Sequence, residues 1–516
     1  MPAENGFAGF VLPRRLTVFD LETAAAPVRV SFTARARQRA AHARDFVTRC
    51  RAEGRAVYGA STGFGPLVGF AGRGEDTDQC ENLLSHLTVG QGPDLPPAVV
   101  RAALLVRAQS LAHGRSGASM RVLDMLAGVL RTTLAPAVPR LGSLGASGDL
   151  VPLAHAVQVL KGRGHAYLDT RRMPAEQALR AAGLEPVELT GRDALALLNG
   201  TPLTAAATGL AVAQLTRSHA TAVLLTALLA DVLGCDAGFA SPHLLDAYGH
   251  PDAARVGESL RAHLRGLVPS GQRALQEPYS IRCTPQLLGA VAASIRHGRE
   301  LVGHDLNGVS DNPVFFPEHD LVAHGGNFFG QSLAFVADLI AVVAAQTGNL
   351  AERQLDLLVD PHRNGGLPPV LATVPGRQHG VQGVQLAATA VVTEMRRAAV
   401  PASVQTLPTN LHNQDVVPLG THAALTALAN AESLRMLHGS LAVALRQAVH
   451  VGARVPTAAR TAAALDRLVA VIPPVDPDRP LDEDVRIAAD ELDAMAGDIL
   501  GVDEAVSHDP SERSAP

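Results

Sequence analysis

The sequence predicts an all-α fold, a bundle of long antiparallel helices with a loop-rich N-terminal region. Three observations predict it. Apolar residues recur at spacings of three and four over stretches of up to about 30 residues. Alanine fills the positions where helices must approach closely, as in Pro202–Leu233. Strand-like alternation is scarce, and glycine gathers outside the periodic stretches.

The elements follow in order. Residues 1–33 hold short extended candidates at Arg15–Phe19 and Val28–Phe32. Ala34–Arg51, rich in Ala and Arg, has helical spacing. Gly54, Gly59, Gly63, Gly65, Gly69 and Gly72 make Gly54–Gly74 a candidate mobile loop. Shorter helices are expected at Pro96–Ala112, Met120–Leu134 and Asp149–Lys161. Longer ones are expected at Pro202–Leu233, Pro285–Leu301, Gly330–Leu358, Val381–Ala399 and Thr421–Val449. A helix of about 30 residues spans about 45 Å. Packing antiparallel partners along its length buries its apolar stripe. The expected division is 1–200, 201–450 and 451–516, with Ser507–Pro516 polar and disordered.

Composition narrows the function. The 516 residues are 47% hydrophobic and 18% charged, with net charge −5. So few charges on so long a chain point to oligomer interfaces. No basic block is present, aromatics are 3% and Trp is absent, which disfavours nucleic acid as a partner. Cys50, Cys80, Cys235 and Cys283 lack CxxC spacing, so neither a disulfide framework nor a zinc site is expected. The histidines show no HExxH arrangement, and no metal is expected. Arg217, Ser218 and His219 interrupt the most apolar stretch, which reads as a buried helix and not a membrane span. No signal-peptide pattern opens the chain, and a cytoplasmic protein is expected. The single lysine, Lys161, sits before Gly162 at an expected helix end. Pyridoxal phosphate chemistry needs a lysine Schiff base, and Lys161 reads as structural. Amino-group chemistry here needs a different electrophile.

Gly142–Asp149, Gly-Ser-Leu-Gly-Ala-Ser-Gly-Asp, offers one. Ordinary side chains are not electrophiles. Gly148 lacks a Cβ, so its nitrogen can approach the Ala146 carbonyl closely. Closing that bond makes a five-membered ring. Loss of two waters, one of them from the Ser147 hydroxyl, leaves an exocyclic methylidene that an amine can attack. A plain tight turn is the competing reading. A Gly-x-Ser-x-Gly nucleophile elbow is excluded, because Asp149 stands where its second glycine belongs.

Gly142–His155 resembles the signature of the aromatic amino acid ammonia-lyase and 2,3-aminomutase family, which contains histidine, phenylalanine and tyrosine lyases. Further blocks match in family order: Val57–Gly65, Leu197–Thr201, Pro278–Arg282, Ser310–Pro313 with Gly325–Phe328, and Asn413–Val417. Six blocks in register, from about Val57 to Gly420, carry the resemblance.

The resemblance implies that Ala146, Ser147 and Gly148 become a 4-methylideneimidazol-5-one (MIO) group, with no pyridoxal phosphate and no metal. It implies a homotetramer whose active sites draw on several chains. Tyr58, in the glycine-rich loop, is the expected base for the weakly acidic β-hydrogen. Arg282 is expected to grip the substrate carboxylate bidentately. Asn199 is expected to contact the ring and the substrate, with a helix cap as its alternative. Phe328 would pack beside the ring, and Gln276 and Tyr279 would complete a polar wall.

His86 aligns with the family's selectivity position and resembles both tyrosine and histidine lyases. Gln414 stands where histidine lyases carry glutamate. Together they favour tyrosine. The expected activity is ammonia elimination from an aromatic L-amino acid to a trans aryl-acrylate. A 2,3-aminomutase giving a β-amino acid is the alternative, and histidine deamination to urocanate comes third. A non-catalytic helical scaffold is the reading from another class. The fumarase and argininosuccinate lyase class leaves the six blocks unexplained.

Overall fold

The long helices form where the apolar spacing places them. The computed structural model describes residues 8–72 and 75–507, with the side chains of 76–78 and 502–507 excepted. Pro202–Leu233 has the expected limits. Its neighbours in sequence run Thr284–Asn307, Gln331–Val359, Gln382–Ala398 and Gly420–His450. Shorter helices occupy Ala34–Ala52, Pro97–Ala112, Met120–Leu130 and Leu150–Leu160. The fold is predominantly helical, as expected. Except for Ser507, which ends the helix Asp482–Ser507, the expected disordered tail lies outside the described residues.

The strands are two to four residues long. Gly9–Leu12 runs parallel to Arg29–Phe32, and Val314–Phe316 pairs antiparallel with Leu321–Ala323. Arg15–Phe19, expected to be extended, is not. Thr17 accepts from the Asp20 backbone and Asp20 accepts from the Thr17 backbone, a reciprocal cap that starts a helix at Val18. Two satisfied orphan donors outweigh the strand propensity of Val18 and Phe19 there. Within the expected Gly54–Gly74 loop, the described residues, up to Gly72, form turns. Gly63 N–H donates to Phe70 at 2.9 Å, Thr62 pairs with Ala71, and Gly65–Leu67 is a single 3₁₀ turn.

The chain resolves into two compact units. One holds the residues up to Ala211, Gly298–Asp338 and Pro401–Leu428. The other holds Val212–His297, Leu339–Val400 and the residues from Ala429 on. In the first unit the helix Pro97–Ala112 is buried on every face from Val99 onward, Arg101 and Arg107 included. Arg101 donates to the carbonyls of Ala24, Ala26, Leu130 and Leu134 at 2.7–3.0 Å. The guanidinium thereby satisfies loop carbonyls that burial would otherwise leave unpaired. Burial lowers its pKa to about 10.

The second unit caps a helix with a buried carboxylate. Asp231 accepts from the backbone of Thr457 and Ala458 and from the Thr461 hydroxyl, at 2.6–3.1 Å. These donors lie at the start of the helix Ala459–Val471, where unpaired N–H groups favour an anion.

His438, 2% exposed in the same unit, has its pKa lowered by burial to about 3. A histidine in the unfolded chain titrates near 6.5. The unfolded chain therefore binds the extra proton first as pH falls. The stability held above about 6.5 is lost on the way toward 3. Urea unfolding at pH 7.5 and pH 5 should show this loss, and His438→Leu should flatten it by about 2 kcal/mol.

Candidate active site

Gly142–Asp149 links the strand Pro139–Leu141 to the helix Leu150–Leu160. Gly145 and Gly148 take left-handed conformations, φ +65° and +72°. A Cβ on Gly148 would overlap the Gly200 amide and carbonyl, so only glycine fits. Asp149 N–H seals the contact with a 2.7 Å bond to the Gly200 carbonyl.

The Asp149 side chain is fully buried but does not cap its own helix. Its Oδ2 accepts from the Leu203 and Thr204 amides at 2.8 and 3.0 Å, the first turn of Pro202–Leu233. Its Oδ1 accepts from the hydroxyls of Thr204, Ser143 and Thr421 at 2.7–3.0 Å. Burial pushes its pKa up, and the bonds from the Thr204 amide and the Thr204, Thr421 and Ser143 hydroxyls oppose that shift. The acid expected to start one helix thus caps another and fastens the loop to it.

Ser147 Oγ is bonded by the Gln414 amide. Among the described residues, neither the Gly148 N–H nor the Ala146 carbonyl takes part in a hydrogen bond. The two atoms that ring closure would join are therefore unengaged. Ala146 packs on Val417 and Leu419.

Behind the loop stands a buried charge cluster. Arg192 Nη2 donates to Asp311 Oδ1 at 2.6 Å, and Arg107 Nη2 lies 3.7 Å from Asp311 Oδ2. Burial raises Asp311 and lowers Arg192 and Arg107, the last to about 10, while pairing offsets part of each shift. Both guanidinium groups also bond main-chain carbonyls: Ala196 and Ser310 from Arg107, Ser116 and Pro313 from Arg192, at 2.7–3.1 Å. This explains the Ser310–Pro313 block, which clamps the turn carrying Asn199 and Gly200. A Cβ on Gly200 would sit 2.5 Å from Arg107 Nη1 and 2.6 Å from the Ser310 carbonyl. Asn199 ends the helix Asp193–Leu198, and its Nδ2 donates to the Asn312 carbonyl at 2.7 Å.

A cavity of about 770 Å³ opens above the loop. Ser147, Asn199, Tyr58, His86 and Phe328 all line it. Leu83, Leu87, Leu150 and Leu195 form apolar wall. The Tyr58 phenol oxygen accepts from Gly65 N–H at 2.8 Å, and its ring meets Phe64 edge-on at 6.4 Å. Tyr58 N–H donates to His324 Nε2 at 3.3 Å. Burial, then Arg192, lowers the His324 pKa, which favours the neutral ring that can accept this bond. His86 lies 6.2 Å from Phe64, with Nδ1 2.9 Å from the Asn82 carbonyl. A carbonyl only accepts, so Nδ1 carries the hydrogen, and in the neutral ring Nε2 is an acceptor.

The first unit thus brings together Tyr58, His86, Ala146, Ser147, Gly148, Asn199, Phe328 and Gln414. It does not include Gln276, Tyr279 or Arg282, which belong to the second unit and do not line the cavity. Gln276 and Tyr279 are exposed there. Arg282 lies 4.8 Å from the Tyr279 ring centroid, and its buried Nε has no partner among the described residues. Among the described residues, no lysine or arginine lines the cavity. Lys161 pairs with Glu81, the structural role expected of it. Sequence reasoning missed His324, Asn312 and Asn410 on the wall. A lone histidine has no periodicity to announce it. His324 directly precedes the Gly325–Phe328 block, which is the one available signal.

The aromatic amino acid lyase family profile matches residues 16–470. The chain belongs to that family. It is 39% identical to a tyrosine ammonia-lyase of Cereibacter sphaeroides, over 85% of this chain and 88% of that protein. It is 35% identical to a histidine ammonia-lyase of Geobacillus kaustophilus, over 88% and 90%. The crystal structure of a tyrosine aminomutase from Streptomyces globisporus superposes with TM-score 0.88 at 30% identity, covering 95% of this chain and 97% of that one. The protein is therefore an enzyme of the ammonia-lyase and aminomutase family, a carbon–nitrogen lyase.

Gly148→Ala should destabilise the chain by about 1–3 kcal/mol in urea unfolding, because it combines a positive φ with backbone overlap.

Proposed function

We propose that this enzyme eliminates ammonia from L-tyrosine, giving the trans aryl-acrylate. The observation that carries the substrate assignment is His86. Its Nε2 acceptor, at an otherwise largely apolar wall, suits a phenol hydroxyl and has no partner on an unsubstituted ring. Gln414 supports the same reading, because a neutral amide gives an imidazole substrate no carboxylate to pair with.

The residues fit the MIO group. Gly148 is conformationally obligatory, its N–H and the Ala146 carbonyl are unengaged, and Gln414 holds the Ser147 hydroxyl. When formed, the group supplies an electrophile to the substrate amine and so makes nitrogen a better leaving group. Tyr58 takes the β-proton at its phenol oxygen, with Gly65 N–H fixing that oxygen in place. Asn199 and Gln414 orient the reacting end through amide hydrogen bonds. Leu83, Leu87 and Leu195 hold the aromatic ring and exclude water.

Among the described residues, the cavity offers a substrate carboxylate no cationic partner. We propose that a neighbouring copy in a homotetramer supplies Arg282, with Gln276 and Tyr279 beside it. The unpartnered Arg282 Nε and the exposure of Gln276 and Tyr279 support this. A 2,3-aminomutase is the second reading. It would use the same base and group but hold the acrylate for readdition of ammonia, and the likeness to the Streptomyces globisporus aminomutase supports it.

Mass analysis of products from Tyr, Phe and His separates these readings. Coumarate-type acrylate from tyrosine supports the lyase, β-tyrosine the mutase, and urocanate as main product overturns the substrate assignment. Intact mass should fall short of the sequence mass by two waters, and by none in Ser147→Ala, which should lose turnover. Tyr58→Phe should lower kcat by about 10²–10⁴-fold. His324→Ala, which removes the acceptor for Tyr58 N–H, should cost up to about tenfold in kcat. His324→Gln, which keeps an acceptor, should recover part of it.

A further inference from the structure

We propose that the first unit carries a second binding site, for a phosphoryl-bearing small molecule, outside the catalytic cavity. It is a cavity of about 380 Å³ lined by Arg35, Arg39, His42, Arg115 and Glu318, with Gln38, Gly114 and Pro317 between them. Arg35, Gln38, Arg39 and His42 recur at spacings of three and four, so they share one face of the helix Ala34–Ala52. None of these residues belongs to the six family blocks, and none lines the catalytic cavity.

Backbone packing builds the cradle. Gly114 has φ +68°, and a Cβ there would meet the Arg39 Cβ at 2.5 Å and the Ala40 nitrogen at 2.8 Å. Only a glycine turn can bring the following residue this close to the helix. Arg115 is then fixed from several sides. Its Nη1 bonds Glu318 at 2.6 Å and the Phe315 carbonyl at 3.4 Å, its guanidinium lies 4.7 Å from the Phe316 ring centroid, and its carbonyl accepts from Phe315 N–H.

Charge is left over. Glu318 offsets Arg115. Among the described residues no carboxylate lies within ion-pair distance of Arg35 or Arg39. Arg39 Nε is buried without a hydrogen-bond partner. Two guanidinium groups therefore face one small cavity unpaired, with a third held beside them. Gathering like charges costs stability unless an anion completes the site. Burial, then Arg35 and Arg115, lowers the Arg39 pKa, in keeping with that repulsion.

The occupant follows from the donors. Guanidinium forks match tetrahedral and planar oxyanions bidentately. A net charge of two favours a phosphoryl dianion over a single carboxylate. An aryl-acrylate is excluded on the same ground, since the lining offers its ring only Pro317. His42 adds a neutral nitrogen or a third positive charge at the rim.

The test is thermal unfolding of the full-length enzyme against inorganic phosphate, adenosine monophosphate and citrate, with potassium chloride at matched ionic strength. A saturable rise in Tm with either phosphoryl ligand, absent with chloride, is expected. Inorganic phosphate acting alone identifies the free ion, and tighter binding of the nucleotide identifies a phosphorylated metabolite. Arg39→Gln should raise the apparent Kd by about tenfold or more. Arg35→Gln, at an exposed position that folding does not need, should do the same with Tm in chloride and turnover unchanged. A phosphate response no larger than that of chloride, an equal response to citrate, or an unaltered response in Arg35→Gln overturns the proposal.

Discussion

The site depends on one close approach, the Gly148 backbone lying against the Gly200 backbone. No side chain fits between them, and the structure surrounds the contact with buried polar groups that hold both strands of it. Asp149 pins one side by reaching past its own helix to the first turn of Pro202–Leu233. Asp311, between Arg107 and Arg192, pins the other by fixing Ser310–Pro313 and, through Arg107, the Asn199–Gly200 turn. Buried charges of this kind add little net stability over an apolar core. What they supply is geometry, since each bond has one satisfactory arrangement and slippage would leave a charge unpaired.

That geometry has a chemical use. A loop that must cyclise needs its nitrogen and carbonyl brought near each other and kept out of competing hydrogen bonds. Here the Ser143, Ser147 and Asp149 side chains are engaged, while among the described residues the Gly148 N–H and the Ala146 carbonyl are not. The site is also unequally supplied. Among the described residues, the first unit lines the cavity with a phenol, amides, histidines and apolar side chains, but with no lysine or arginine. Arg282, with its orphaned nitrogen, belongs to the other unit.

Much of this was legible beforehand. The long helices followed from apolar spacing, to within a few residues at their ends, because burial along a long helix is a local pattern repeated many times. The Gly142–Asp149 loop could be read as chemistry because glycine and serine at that spacing permit few backbone reactions. Other features were not legible. Thr17 and Asp20 cap each other and turn an expected strand into a helix, a decision made by two hydrogen bonds that propensity does not weigh. Asp149 was expected to open the helix Asp149–Lys161, yet its side-chain bonds go to a helix 53 residues further on. His324 gave no pattern at all, because its role is to receive a backbone N–H from a loop more than 260 residues earlier.

The amino-acid order alone therefore determined the helical class, the family to which the chain belongs, and the phenol, amide and guanidinium side chains that the proposed site would use. These rest on periodicity and on the intrinsic chemistry of side chains, which a linear chain displays. Tertiary structure alone decided which acid caps which helix, which histidine nitrogen is tied to a backbone carbonyl, and which expected residues share a wall. Those outcomes turn on distances between segments far apart in the chain. Only burial, which penalises every unpaired polar group, selects among them.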